Sequence, residues 1–173
     1  MAYKEQFDRV KRYYKRIDPE KKDHGNQLDY EDNLWSFFQN AYHLKDWIKN
    51  DDTIRINGDI EDIKKGYPCL VICGDIANRT KHLKLHCEKE DAPHPRQGAK
   101  LSGKDVNVCL PPANYKINDI LRNKPVPISK GSTAIYNYRI IDSSGEEYNA
   151  INLAEQIIEA WTRIIELHII EES

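Results

Sequence analysis

Residues 28–50, LDYEDNLWSFFQNAYHLKDWIKN, decide the fold because they contain no Pro or Gly and can form an uninterrupted helix of about six turns. The apolar residues of this stretch recur at spacings of three and four, which places them on one wide face of a helix. They are Leu34, Phe37, Phe38, Ala41, Tyr42, Leu44 and Ile48. The pattern predicts a long central helix against which other helices pack.

Three more main helices are predicted around this one. Residues 3–17 carry a single apolar stripe, and Asp18 and Pro19 end it. A third helix begins after Pro68 and extends to residue 81 or 82. Asn152 is predicted to cap a last helix over residues 153–168, which should pack against the central one. Residues 54–65 are predicted as a short, irregular helix because isoleucines recur there.

A β-rich segment is predicted between residues 83 and 151, where frequent Pro and Gly exclude a long helix. Val106, Val108 and Leu110 alternate like a strand, and residues 135–141 and 147–151 form a hairpin around the turn sequence DSSG. The predicted fold is α+β and mainly helical: a helical bundle with a β-hairpin-containing insert before the C-terminal helix. We expect a single domain over residues 1–173, with a helical part (1–82 and 152–173) and the insert (83–151).

Composition narrows the class of protein. The chain of 173 residues has a formal net charge of −2, so it lacks the strong positive charge of a dedicated nucleic-acid binder, and any basic surface must be local, as over residues 79–104. The first twenty residues are highly charged, so we expect no secretory signal, and no apolar run in the sequence is long enough to cross a membrane. The four cysteines lack a compact paired spacing, so we expect reduced thiols in a cytoplasmic protein.

Four polar residues crowd the end of the otherwise apolar third helix: Asp75, Asn78, Lys81 and His82. The helical spacing lets them share one face. A histidine exchanges protons near neutral pH, an asparagine orients a phosphate, and a lysine holds an anion, so the set suits RNA cleavage without a metal or cofactor. The alternative is a helix end at which His and Lys only complement the helix dipole.

The central helix contains DWIKND at residues 46–51, and the third helix ends with Asn78, three residues and then His82. In these features the chain resembles the HEPN superfamily. In its nucleolytic members an Arg precedes a polar residue, often Asn, a His follows, and paired protomers join two such motifs for metal-independent RNA cleavage. The resemblance implies that Asn78 and His82 match the polar residue and the histidine in a homodimer. Residues 75–77 contain no Arg, so either Lys81 or Arg79 substitutes or the chain belongs to a branch that binds without cutting.

Four further residues are candidates for ligand binding: Arg79, Lys84, His43 and Asp46. His43 can reach Asp46 three residues later on the central helix. Two metal arrangements are alternatives, one made of His43, Asp46 and His82 in a metal enzyme, the other of Cys69, Cys73, His86 and Cys87. A last alternative is a non-enzymatic module of bacterial defence or a toxin–antitoxin system, whose β-rich insert binds a protein partner.

Overall fold

The computed structural model describes residues 1–18, 20, 24–79, 98–109, 133–142 and 144–171. The helices are α1 (Ala2–Ile17), α2 (Gln27–Lys49), α3 (Ile60–Lys65), α4 (Pro68–Arg79) and α5 (Ala150–His168). The strands are β1 (Ile54–Ile56), β2 (Lys100–Cys109), β3 (Thr133–Ile141), β4 (Glu147–Asn149) and β5 (Ile169–Glu171). The predicted α+β, mainly helical fold is confirmed.

Helices α1 and α2 form an antiparallel pair. The start of α1 lies beside the end of α2, where the Tyr3 backbone N–H donates to the Asp51 carboxylate at 3.0 Å. The end of α1 lies beside the start of α2, where the Arg16 guanidinium donates to the Asn33 side-chain oxygen at 3.4 Å. The apolar stripes of the two helices are buried against each other, as their spacing predicts.

Helix α4 packs closely on α2. The Cys73 thiol donates to the Phe38 carbonyl at 3.4 Å, and Gly74 lies under the Tyr42 ring. A Cβ atom at Gly74 would lie 2.9 Å from the Tyr42 ring, so only a glycine allows this approach without a shift. Helix α5 packs mainly on α4, β3 and α1, and its contact with α2, the partner that the sequence predicts, is smaller.

Strands β2, β3 and β4 form an antiparallel sheet, which confirms the predicted hairpin. Along β3, Ala134, Tyr136, Tyr138 and Ile140 are buried in alternation, so this face joins the core of the helical part. Two predicted boundaries are wrong. The second hairpin strand ends at Asn149 instead of residue 151, and Asn149 instead of Asn152 caps α5, because its side chain accepts the Ile151 and Asn152 backbone N–H groups.

A second, two-stranded sheet joins β1 to β5, with Arg55 opposite Ile170. The prediction of a helix from residue 54 is therefore wrong for β1 and holds only for α3, which the Asp59 side chain caps. The short strand β1 pairs with the strand that follows α5, which gives hydrogen-bond partners to backbone groups that no helix satisfies. At the end of α5, the His168 carbonyl accepts the backbone N–H of Asn57, the residue that follows β1, at 2.8 Å.

Candidate functional site

The predicted site lies in the last turns of α4, where Asp75 is buried with 6% of its surface exposed. Its Oδ2 accepts the Ala99 backbone N–H at 3.4 Å. Arg79, one turn later, donates from Nε to the Ala99 carbonyl at 2.7 Å and from Nη2 to the Gly98 carbonyl at 2.9 Å. A carboxylate and a guanidinium four residues apart on one helix therefore hold the backbone that leads into β2.

We call these contacts the α4 tie, made by Asp75 and Arg79 with Gly98 and Ala99. The buried Ala99 N–H and the two carbonyl groups need partners because water does not reach a buried backbone freely. The α4 tie supplies them. It also holds Gly98 beside Arg79, the last residue of α4.

Asn78 lies half-buried on the same last turn, between the two residues of the α4 tie along the helix. Lys81, His82 and Lys84 lie outside the described residues. The structure thus brings Asp75, Asn78 and Arg79 to one end of α4, but it assigns Asp75 and Arg79 to backbone contacts. The convergence of Asn78 with Lys81 and His82 stays a prediction.

His43 and Asp46 form the contact that their spacing predicts. The His43 Nδ1 lies 3.1 Å from the Asp46 Oδ2, and both side chains are partly exposed. The Lys45 ammonium lies 3.7 Å from the other Asp46 oxygen. The carboxylate of Asp46 is therefore held between an imidazole and an ammonium group.

The neighbouring lysines serve the packing of α3 on α2. Lys45 and Lys64 both pair with Glu61, and their ammonium groups lie 4.7 and 5.0 Å from the centre of the Tyr42 ring. Burial alone would raise the pKa of the Glu61 carboxyl, but the hydrogen bonds from the two lysines outweigh it and lower this pKa to about 2. The charges of Lys45, Lys64 and Glu61 are therefore paired with one another where α3 packs on α2.

Sequence reasoning missed a surface along the line where α1 meets α2. We call it the seam surface and define it by six residues: Arg9, Tyr13, Arg16, Asn33, Asn40 and Trp47. The Arg9 guanidinium donates to the buried Gln6 amide at 3.0 Å, and it lies 5.7 Å from the Trp47 ring. The Gln6 amide in turn donates to the Asn40 carbonyl at 2.9 Å.

The other end of the seam surface repeats the combination of a cation with an aromatic ring. The Arg16 guanidinium lies 4.9 Å from the centre of the Tyr13 ring and reaches Asn33 across the helix pair. The signal was present in the sequence as two helical spacings, 9, 13 and 16 on α1 and 33, 40 and 47 on α2. The polar flanks of two helices form this surface together, so the apolar stripe of either helix alone does not indicate it.

A hollow of about 340 Å³ opens at one end of the seam surface. It is lined by Ala2, Asp46, Trp47 and Asn50, and thus contains one aromatic face, one carboxylate and one amide. The Asn50 amide donates to the Asp46 carbonyl at 2.7 Å, which fixes its orientation. The hollow therefore has a planar apolar wall with hydrogen-bonding groups at its edge.

Both metal arrangements depend on residues outside the described ranges, namely His82 in one and His86 and Cys87 in the other. Within the part of the chain that the structure describes, no three His, Cys, Asp or Glu side chains come together in a way that could hold a metal ion. Cys69 and Cys73 are free thiols, and burial raises the pKa of each. They are packed side chains at the α4 contacts with α5 and α2.

Comparisons with known proteins add no relative to this description. No family model matches the chain, and neither a curated protein nor a solved structure matches it. Among the described helices, none combines the length and the apolar character that crossing a lipid bilayer requires.

Proposed function

We propose that this protein is a HEPN-like RNA-binding protein that cleaves RNA without a metal ion through Asn78, Lys81 and His82. The observation that supports this proposal is the α4 tie, which holds the turn carrying Asn78 against the start of β2. A phosphate-binding side chain works best on a helical turn that its surroundings keep in place. Asp75 and Arg79 then act as positioning residues for the end of α4.

The proposed reaction uses the chemistry of the three side chains. His82 removes the proton of the ribose 2′-hydroxyl, whose oxygen attacks the adjacent phosphorus and displaces the 5′-oxygen of the next nucleotide. A proton returns to that leaving oxygen, and the products carry a 2′,3′-cyclic phosphate and a 5′-hydroxyl. Asn78 orients the phosphate and Lys81 stabilises its developing negative charge.

This proposal is tested by cleavage of a labelled single-stranded RNA in the presence of EDTA. We expect cleavage by the wild-type protein, loss of at least about a hundredfold in His82→Ala, and a smaller loss in Asn78→Ala. Lys65→Ala, an exposed change on α3, is the matched control and should cleave like the wild type. Equal cleavage by His82→Ala and the wild type would contradict the assignment.

A second candidate function is a non-enzymatic module that binds a protein partner. The feature that favours it is the missing arginine at residues 75–77, since Arg79, which could substitute for it, donates to the Gly98 and Ala99 carbonyl groups. Sedimentation separates the two candidates, since the nucleolytic arrangement requires a homodimer. A monomer without RNA cleavage supports the module, whereas a homodimer that cleaves RNA excludes it.

A further inference from the structure

The charge of α1 differs from that of the whole chain. The helix carries six cationic side chains and two carboxylates, whereas the chain has a net charge of −2. The cationic ones are Lys4, Arg9, Lys11, Arg12, Lys15 and Arg16. A local surplus of positive charge attracts a polyanion even when the protein as a whole is slightly negative.

Two of these cations lie on the flank of α1 that faces α2. Arg9 and Arg16 are seven residues apart, which places them on one side of the helix about 10 Å from each other along its axis. The Arg9 guanidinium donates to the Gln6 side-chain oxygen, and the Arg16 guanidinium donates to the Asn33 side-chain oxygen. Such a spacing suits successive phosphates of an extended strand.

Trp47 supplies an aromatic face for a base, which phosphate-binding side chains alone do not offer. Its ring is half-buried, carries the Arg9 guanidinium at 5.7 Å, and forms one wall of the 340 Å³ hollow. An unpaired base can stack on an aromatic ring, and every base offers such a face. Asp46 and Asn50 at the edge of the hollow can accept or donate hydrogen bonds to the rim of a stacked base.

Carboxylates of α1 and α2 lie near these cations, and some of them are paired with other groups. The Asp46 carboxylate lies 3.1 Å from the His43 imidazole and 3.7 Å from the Lys45 ammonium group, which also pairs with Glu61. Of the two carboxylates of α1, Asp8 has Lys11 at 4.0 Å, and Glu5 lies on the exposed side of the helix.

We infer that the seam surface binds single-stranded RNA, with phosphates on Arg9 and Arg16 and a base stacked on Trp47. A duplex cannot bind in this way because its bases are already paired and stacked. The inference rests on the proposed function for the choice of RNA over DNA. It assigns binding to a surface apart from the end of α4, so the two proposals are tested separately.

The test measures binding of a labelled oligouridylate by fluorescence anisotropy, in the His82→Ala background so that cleavage plays no part. We expect Arg9→Gln/Arg16→Gln to bind about tenfold more weakly and to reduce the slope of log affinity against log salt by about 1.4. Lys65→Gln/Arg163→Gln removes the same charge from other helices and should bind as the background does. Equal affinity of the two double variants would overturn the inference.

A second pair of variants tests the stacking. Trp47→Leu keeps an apolar side chain without an aromatic face and should weaken binding about tenfold, whereas Trp47→Phe should stay within about threefold. Circular dichroism checks that both variants are folded. If Trp47→Leu does not fold, the affinities of the two double variants alone test the inference. Tighter binding of oligothymidylate, of duplex RNA or of phosphatidylserine vesicles than of oligouridylate would overturn the inference. If the wild type cleaves RNA, His82→Ala does not, and both double variants bind RNA equally, RNA binding by the seam surface is refuted while the proposed function still stands.

Discussion

The end of α4 and the seam surface contain similar side chains but use them differently. In the α4 tie, Asp75 and Arg79 hydrogen-bond to the backbone of residues 98 and 99. On the seam surface, Arg9 donates to the Gln6 side chain and Arg16 donates to the Asn33 side chain, and each guanidinium lies beside an aromatic ring. The comparison teaches that a cluster of ionisable residues in a sequence can mark buried backbone that needs partners. A binding surface can lie instead on polar flanks that no motif distinguishes.

The largest effect on stability is expected at Asp75. Asp75→Ala removes the acceptor of the buried Ala99 N–H, which should lower the free energy of unfolding by about 2 kcal/mol. Urea unfolding measures this change. Asp62→Ala removes a carboxylate that is paired at the surface with Lys65, and it should change the same quantity by less than about 0.5 kcal/mol. Equal stability of the two variants would mean that the α4 tie does not stabilise the fold.

A smaller loss is expected at Gly74, the residue that lets α4 approach Tyr42. The added methyl group of Gly74→Ala would collide with the Tyr42 ring, at a cost of about 1–3 kcal/mol, while the better helix propensity of Ala returns about 1 kcal/mol. We expect a net loss of about 1 kcal/mol in urea unfolding. The same change in a Tyr42→Leu background should lose less, and a Gly74→Ala protein more stable than the wild type would refute the close contact.

Asp51 joins the start of α1 to the end of α2, and we expect it to make the stability of the protein depend on pH in the acid range. Hydrogen bonds from the Thr53 hydroxyl and from the Tyr3 backbone N–H lower the pKa of the Asp51 carboxyl to about 2. The unfolded carboxyl titrates near pH 3.9, so the stabilisation is complete above that pH and is lost as the pH falls to about 2. Urea midpoints across this range should fall less steeply in Asp51→Asn than in the wild type. Parallel curves for the two proteins would contradict this role.

The smallest effect on stability is expected on the seam surface. Arg9→Gln/Arg16→Gln should lower the free energy of unfolding by no more than about 1 kcal/mol in total, because the Arg16 hydrogen bond is exposed and the Gln introduced at position 9 still carries an amide donor for the buried Gln6 oxygen. The variant therefore separates binding from folding in a way that Asp75→Ala cannot. A destabilisation comparable with that of Asp75→Ala would mean that the two regions do not differ as we describe.

The main helices could be predicted from the sequence because each buries one apolar stripe. Val10 and Ile17 on α1, and Leu34 and Phe37 on α2, recur at helical spacing and are fully buried. The hairpin was also predictable, since β3 alternates buried and partly exposed residues. Strand β1 was not, because its isoleucines fit a helical spacing as well, and its partner β5 lies at the far end of the chain.

The candidate site was only partly predictable. Local spacing correctly placed Asp75, Asn78 and Arg79 on one helix end and His43 beside Asp46. It could not show that the backbone of Ala99 approaches Asp75, because that contact depends on how the chain returns from residues far along the sequence. The seam surface escaped notice for the same reason, since Arg9 and Trp47 meet only when α1 packs on α2.

The affinity for oligouridylate tests the difference between the two regions most directly. It should be compared between Arg9→Gln/Arg16→Gln and Lys65→Gln/Arg163→Gln, both in the His82→Ala background. We predict about tenfold weaker binding with a shallower salt dependence for the first variant and unchanged binding for the second. The same affinity and salt dependence in both variants would contradict the assignment of RNA binding to the seam surface.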